Sequence, residues 1–177
     1  MNDTQSGDFG NYGHLAYGLI RQSKPKIILE IGLGESGEGA SHMIDAILKN
    51  EKDGYDGKYY CIEKYPTKRG ADVLDKSEKK ATLIIADSQN PAIYKNIFNG
   101  QADLVFIDAN HDCQNIIKEG IHIITNNILH INGMMVFHDT WMFSVRHAIK
   151  KLSEEFSLNT FYLPSFKYNV CLATFQL

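Results

Sequence analysis

Apolar residues fall along this chain in two alternating patterns, and the alternation predicts the fold. The run Ile27-Ile28-Leu29-Glu30-Ile31 is continuously apolar except for one acid, as in a strand covered on both faces. Beyond a glycine-rich turn, Ala40, Met43, Ile44, Ile47 and Leu48 recur at helical spacing and mark a single stripe. The same succession of strand, turn and helix repeats. It predicts strands at 59–62, 82–85, 104–107 and 134–137, and helices over 68–75, 91–98 and 112–128. The last helix carries Ile116, Ile117, Ile121, Ile124 and Ile128.

Five strands separated by helices imply parallel crossovers and a doubly wound sheet. After a helix over 143–152 the pattern changes: 159–163 and 170–175 read as strands joined by a turn at Pro164 and Ser165, so they must pair antiparallel. The expectation is an α/β fold, doubly wound, with a mostly parallel seven-stranded sheet whose last strand is antiparallel. No repeat or compositional break marks a second domain. Residues 1–177 are therefore expected to form one domain, with an N-terminal flap and helix over 1–22 and a core over 23–177. Residues 1–10, polar with two glycines, have the composition of a frayed end or a ligand-ordered flap.

Composition narrows the function classes. A chain of 177 residues can bury a core without disulfides or a structural metal. Its 18 Lys+Arg against 21 Asp+Glu leave a net charge of -3, with no basic field for a nucleic-acid backbone. Cys61, Cys113 and Cys171 are odd in number and widely spaced, which fits a reducing compartment better than a disulfide framework. No apolar run approaches the roughly 20 residues of a membrane span, and Met1–Phe9 has no apolar h-region. The expectation is a cytoplasmic protein whose partner is neither nucleic acid nor membrane.

The candidate chemistry sits at the predicted carboxyl ends of the strands. Glu30-Ile31-Gly32-Leu33-Gly34-Glu35-Ser36-Gly37 holds a Gly-x-Gly-x-x-Gly turn between a buried strand and an amphipathic helix, where glycines let the backbone approach a nucleotide-like ligand. Glu30 beside that turn is unsuited to a pyrophosphate and suited to a ligand amino group. Glu63 ends the next strand, where an acid can bind both hydroxyls of a ribose. Asp87 and Ser88 end the third, with Asp87 placed to accept an adenine amino group. Tyr60 and Lys64 match a Tyr-x-x-x-Lys spacing, but Tyr60 lies in a predicted strand, where that spacing does not face one way.

With acids closing three successive strands, the sequence resembles the class I S-adenosylmethionine-dependent methyltransferases, from Glu30 to the closing strand at Val170. Phe106-Ile107-Asp108-Ala109-Asn110-His111 and Gly133-Met134-Met135-Val136-Phe137-His138-Asp139-Thr140 are similar to strand ends of a small bacterial group of O-methyltransferase-like proteins. That group is related to metal-dependent catechol, sugar and macrolide O-methyltransferases, which mostly carry an acid where His138 stands and often glycine where Ala109 stands. The resemblance implies S-adenosyl-L-methionine held by Glu30, Gly32, Gly34, Gly37, Glu63, Asp87, Ser88 and Asp108. It also implies methyl transfer to a hydroxyl oxygen of a small molecule or sugar.

Read without the family, Asp108, His111, His138 and Asp139 converge on the carboxyl edge of neighbouring strands, and such an oxygen-rich set suits Mg, Mn or Fe. The expected metal set is Asp108, His138 and Asp139, with His111 as general base beside Asp108 and His138 as its competitor for that role. Two other readings stay open: a metal-dependent hydrolase using His111, His138 and Asp139, and a non-catalytic S-adenosylmethionine-binding protein. His14, His42, His122, His130 and His147 fall on expected helices or turns. Phe9, Tyr12, His14 and Tyr17 are placed to fold over the cleft, and Trp141 to line an acceptor pocket. The acceptor, the need for metal and a homodimeric state stay open.

Overall fold

The computed structural model describes residues 9–77, 79–97, 101–163 and 169–176. Strand β1 (Ile27–Ile31) lies near the middle of the sheet, as a segment apolar on both faces must. On one side it pairs in parallel with β2 (Lys58–Glu63), which pairs with β3 (Ala81–Ile85). On the other it pairs with β4 (Ala102–Ile107), which pairs in parallel with β5 (Leu129–Phe137). The chain order reverses direction at β1, which opens a crevice at the carboxyl ends of β1 and β4.

The tail completes the sheet. Strands β6 (Leu158–Leu163) and β7 (Val170–Phe175) pair antiparallel, and β7 also pairs antiparallel with β5. The seven-stranded order is β3-β2-β1-β4-β5-β7-β6, so the reversed strand is inserted inside the sheet and β6 takes the edge. The expected flap residues 1–8, Phe98, and the turn at Pro164 and Ser165 lie outside the described residues.

Helices α1 (Phe9–Ser23) and α2 (Glu38–Lys52) cover one face, burying Tyr12, Ala16 and Ile20 against Met43, Ile47 and Phe106. Short helices α3 (Lys68–Asp75) and α4 (Pro91–Ile97) follow β2 and β3. On the opposite face α5 (Cys113–Thr125) and α6 (Phe143–Phe156) close over Val105, Ile107 and Met135. Thr67 caps α3 by accepting from the Gly70 N–H, and Asp112 caps α5 by accepting from Gln114 and Asn115, so both helices start where capping chemistry dictates.

Strand β5 is longer than its apolar run. It begins at Leu129, so His130 is a strand residue and not a turn residue as expected. Asn132 and Gly133 break the apolar pattern there, and a register shift between Ala102 and Leu104 absorbs the irregularity.

Candidate functional site

Register places the candidate residues in one row. Ile31 is level with Ile62 on one side and with Ile107 on the other, and Ile107 is level with Phe137. Each strand then donates once more past its end: Gly32 N–H to the Ile62 carbonyl at 3.0 Å, Asp108 N–H to that of Ile31 at 2.9 Å, and His138 N–H to that of Ile107 at 3.3 Å. Glu63, Gly32, Asp108 and His138 therefore stand side by side along the crevice.

The glycine turn is shaped by conformation as well as size. Gly32, Gly34 and Gly37 have φ of 92°, 65° and 63°, in the left-handed region. Gly37 is the residue that enters α2. The turn is held by Glu63, whose Oε2 accepts from the Leu33 N–H at 3.0 Å while Oε1 accepts from the Tyr65 N–H at 2.8 Å. A cleft of about 720 Å³ runs over this turn, lined by Gly32, Gly34, Glu63, Asp87, Ser88 and His111 among others. A second cleft of about 460 Å³, bounded by Tyr12, Glu30 and Arg69, shares Gly34 and Asp108 with the first. Asp108 thus stands where the two meet. Gly37, His138 and Asp139 are not among the lining residues of either.

Glu30 is 2% exposed and accepts from the Tyr59 hydroxyl. Burial pushes its carboxyl up to about 8 against the opposing effect of that hydrogen bond. Tyr12 packs its ring 4.3 Å from His138 and edge-on to Phe106, as expected for a residue folded over the site, and its buried hydroxyl has no partner among the described residues. His14 instead meets His42 on the exposed side.

Four titratable side chains meet beyond Asp108. His138 Nδ1 lies 3.0 Å from Asp108 Oδ1 and 3.3 Å from Asp139 Oδ2, while His111 Nε2 lies 3.1 Å from Asp139 Oδ2 and 3.8 Å from Asp108 Oδ1. Asp108 and Asp139 stabilise the imidazolium of His111 and push its pKa to about 10. Burial alone would lower His138, but its contacts with Asp108 and Asp139 outweigh that and raise it to about 9. Burial likewise works to raise Asp139, and the two imidazoles overcome it, holding the carboxyl well below the usual carboxylate range. Asp139 has φ 52°, and Trp141, itself half-exposed, donates its indole N–H to Asp139 Oδ1 at 2.9 Å. The indole therefore braces the acid.

Ligand atoms of Asp108, His111 and Asp139 all lie within 4.8 Å of one another. Two carboxylates and one imidazole suit a hard divalent cation. The structure thus brings His111, expected as general base, into the metal-capable trio. His138, expected as third ligand, is almost fully buried against Tyr12, with its Nδ1 beside the same two carboxylates.

Sequence reasoning did not find Gln89 or Glu119, and it weighed Lys64 only as part of a Tyr-x-x-x-Lys spacing. Glu119 is 1% exposed and accepts from Ser88 Oγ at 2.6 Å and Gln89 Nε2 at 3.1 Å, and burial pushes its carboxyl up to about 7. Ile116, Glu119, Gly120 and Ile123 form the buried face of α5, which puts an acid at a core position. Lys64 pairs with Asp87 at 2.8 Å and holds that carboxyl below its ordinary value. The Tyr60–Lys64 spacing has no chemical counterpart here, since Lys64 is committed to Asp87.

A doubly wound sheet with a glycine turn at its switch point, an acid closing the neighbouring strand and a cleft across both defines a nucleotide-ligand α/β protein. A family model described as a methyltransferase domain matches residues 29–140, more than half of the sequence and all of the row from Glu30 to Asp139. The chain belongs to that family. No curated protein matches it. Among solved structures it is similar to the methyltransferase PaMTH1 of Podospora anserina, bound to S-adenosylhomocysteine, at 20% identity and TM-score 0.72 over 93% of this chain and 78% of that one. It is also similar to the O-methyltransferase TomG of Streptomyces achromogenes, in complex with S-adenosylmethionine, at 16% identity and TM-score 0.67 over 93% and 80%. The O-methyltransferase of Bacillus cereus, in complex with S-adenosylhomocysteine, matches at 14% identity and TM-score 0.66 over 94% and 81%. No helix among the described residues is long and apolar enough to cross a membrane.

Proposed function

We propose that this methyltransferase uses S-adenosylmethionine as donor and a hydroxyl oxygen of a small molecule as acceptor. The observation that carries the reading is the Glu63 carboxylate. Its two oxygens pin the glycine turn through Leu33 and Tyr65 while it lines the larger cleft, so the residue that shapes the turn also offers remaining lone pairs to a vicinal diol. Asp87, Ser88 and Gln89 bound the nucleobase end, and Glu30 and Asp108 bound the end where an ammonium group would restore the Glu30 carboxylate.

Methyl transfer is a single in-line displacement. The acceptor oxygen bonds to the methyl carbon as the carbon–sulfur bond breaks, its electron pair stays on sulfur, and the hydroxyl proton must leave. The protein's share is alignment, exclusion of water and removal of that proton. Asp108, His111 and Asp139 fit a divalent cation, which when bound lowers the pKa of a coordinated hydroxyl. Asp108 and Asp139 raise the pKa of the His111 imidazole, and His111 and Asp108, which both line the larger cleft, are the groups that would take up the proton the acceptor hydroxyl gives up. The hydrolase reading finds no support: the methyltransferase match itself runs through Asp108, His111, His138 and Asp139.

The acceptor reading is supported by the donor set and by the likeness to TomG and the Bacillus cereus protein, both described as O-methyltransferases. The three cysteines are free, which agrees with a reducing cytoplasmic setting. The test is calorimetric titration with S-adenosylmethionine, followed by a screen of hydroxyl compounds for S-adenosylhomocysteine release. Binding without turnover on any acceptor, with and without divalent metal, would favour the non-catalytic binding reading, and absence of binding would end the donor assignment.

A further inference from the structure

Beyond Asp139 the chain makes a tight turn that joins the candidate site to a separate cleft. The Met142 N–H donates to the Asp139 carbonyl at 2.9 Å, which closes a four-residue β-turn and holds its ends within about 7 Å of each other. Thr140, inside that turn, donates its N–H to the Asn169 carbonyl at 2.9 Å, and its own carbonyl accepts from Arg146 Nε. Asn169 and Arg146, with Tyr162 and Leu163, bound a cleft of about 480 Å³. This cleft therefore begins one residue past Asp139, on the β7 side of the sheet.

Its walls offer apolar surface and one cation. Tyr162 and Leu163 are partly exposed, and beside them on the chain's turn into α6 the Trp141 indole and the Phe143 ring are exposed at 55% and 82%. Aromatic surface left to solvent in one neighbourhood, rimmed by polar groups, is the mark of an interaction site. Arg146 is exposed and has no ion-pair partner among the described residues. Its Nε–H is engaged with Thr140, which fixes the plane of the guanidinium and leaves free the four N–H of its two terminal nitrogens. Burial raises the pKa of the Tyr162 phenol and the Arg146 charge opposes that rise, so the guanidinium acts across the cleft.

We propose that Arg146 is a specificity-determining residue that receives a carboxylate of the acceptor, so that the enzyme methylates hydroxyls carried by aromatic acids. The inference rests on the S-adenosylmethionine and hydroxyl-acceptor reading above and deepens it. The orientation follows from charge: Asp108 and Asp139 repel an anion, so the hydroxyl end must meet them and the acid end must lie beyond the turn. A planar fork held from behind through Nε matches a carboxylate with two parallel hydrogen bonds. Between the two ends the surface on offer is the Trp141 indole and the Tyr162 and Leu163 walls, which suit an aromatic ring and give a sugar little to bond.

The experiment measures methyl transfer from S-adenosylmethionine, with divalent metal present, to dihydroxyphenyl carboxylic acids of increasing side-chain length and to their matching primary amides. The acid of fitting length should be preferred over its amide by roughly tenfold to a hundredfold in kcat/KM, the usual effect of a charge-assisted pair, and the preference should lie in KM. Arg146→Gln should compress that ratio to less than about threefold by raising KM for the acid, and Arg146→Lys, which keeps the charge but not the fork, should fall between. Leu163→Asp, which sets a like charge on a partly exposed wall of the cleft, should compress the ratio as well, and it decides the matter alone if Arg146→Gln fails to fold. Amides methylated as readily as acids by the parent overturn the inference while leaving the hydroxyl-acceptor reading intact, as does a full preference in both Arg146→Gln and Leu163→Asp. Binding of S-adenosylmethionine with no turnover of acid or amide also overturns it, and absence of binding sinks the donor reading and the inference together.

Discussion

Gly32 passes so close to Asp108 that a Cβ on Gly32 would stand 2.4 Å from the Asp108 carbonyl oxygen. This contact locks the glycine turn of β1 onto the end of β4, and the junction of the two clefts is built on it. Gly34 differs: it too has positive φ, but a Cβ placed on it would meet nothing within 4 Å among the described residues. Gly34→Ala should therefore cost only the left-handed backbone strain, about 1 to 2 kcal/mol. Gly32→Ala adds a backbone collision and should cost more than about 3 kcal/mol, lowering the melting temperature by roughly 6 to 12 °C and displacing Asp108. Thermal denaturation of the two variants side by side checks this; equal shifts would show that the close approach carries no energy.

Glu63 should dominate donor affinity. Its carboxylate accepts from Leu33 and Tyr65 and retains lone pairs toward the cleft. Losing a charge-assisted pair costs about 1.5 to 3 kcal/mol, so Glu63→Ala should weaken S-adenosylhomocysteine binding by roughly tenfold to a hundredfold. Calorimetry on the variant reads this directly, and undiminished affinity would remove Glu63 from the ribose.

Divalent metal should raise the melting temperature with the logarithm of its concentration, by an amount equivalent to about 2.7 kcal/mol at a hundred times the dissociation constant. Asp139→Asn and His111→Ala should each abolish the shift, because both contribute to the metal-capable trio. His138→Ala should retain a shift, since His138 is almost fully buried and the trio is complete without it. A shift that survives His111→Ala and disappears in His138→Ala would restore the assignment expected from the sequence.

Stability should fall as pH rises through the neutral range. Burial pushes the Glu119 carboxyl up to about 7, so the folded chain holds a proton that the unfolded chain releases near its ordinary value of 4.5. That contribution is complete below about 4.5, declines as pH rises toward about 7 and is flat beyond, and it can reach about 3 kcal/mol. Glu30, pushed up to about 8 by burial, acts in the same direction over a wider range. Denaturant unfolding at pH 5 and pH 8 should show a smaller difference in Glu119→Gln than in the parent, and an unchanged difference would mean that the carboxyl titrates normally.

The extent to which the sequence was legible differs from element to element. Ile27–Ile31 and Lys68–Asp75 are bounded by glycine, proline or capping residues, so their ends follow from local chemistry. The first half of β5 escaped because Asn132 and Gly133 interrupt its apolar run, and only pairing with Ala102 and β4 keeps it extended. Glu119 escaped because a lone acid in a run of isoleucines reads as a surface residue until the helix is docked and that face is found buried.

What the sequence determined by itself is the succession of strands and helices, the parallel winding it forces, and the acids and glycines that close each strand, because these depend on short-range periodicity and backbone conformation. Only the tertiary structure decided that β7 enters the sheet between β5 and β6, since strand pairing is a long-range choice that no local pattern encodes. It also decided that both histidines reach the two carboxylates. Asp108, His111, His138 and Asp139 were all visible as chemistry, but their distances are set where β4 and β5 end side by side and where Asp139 turns at φ 52°, and those few ångströms bring His111 Nε2 and His138 Nδ1 to the same Asp139 oxygen.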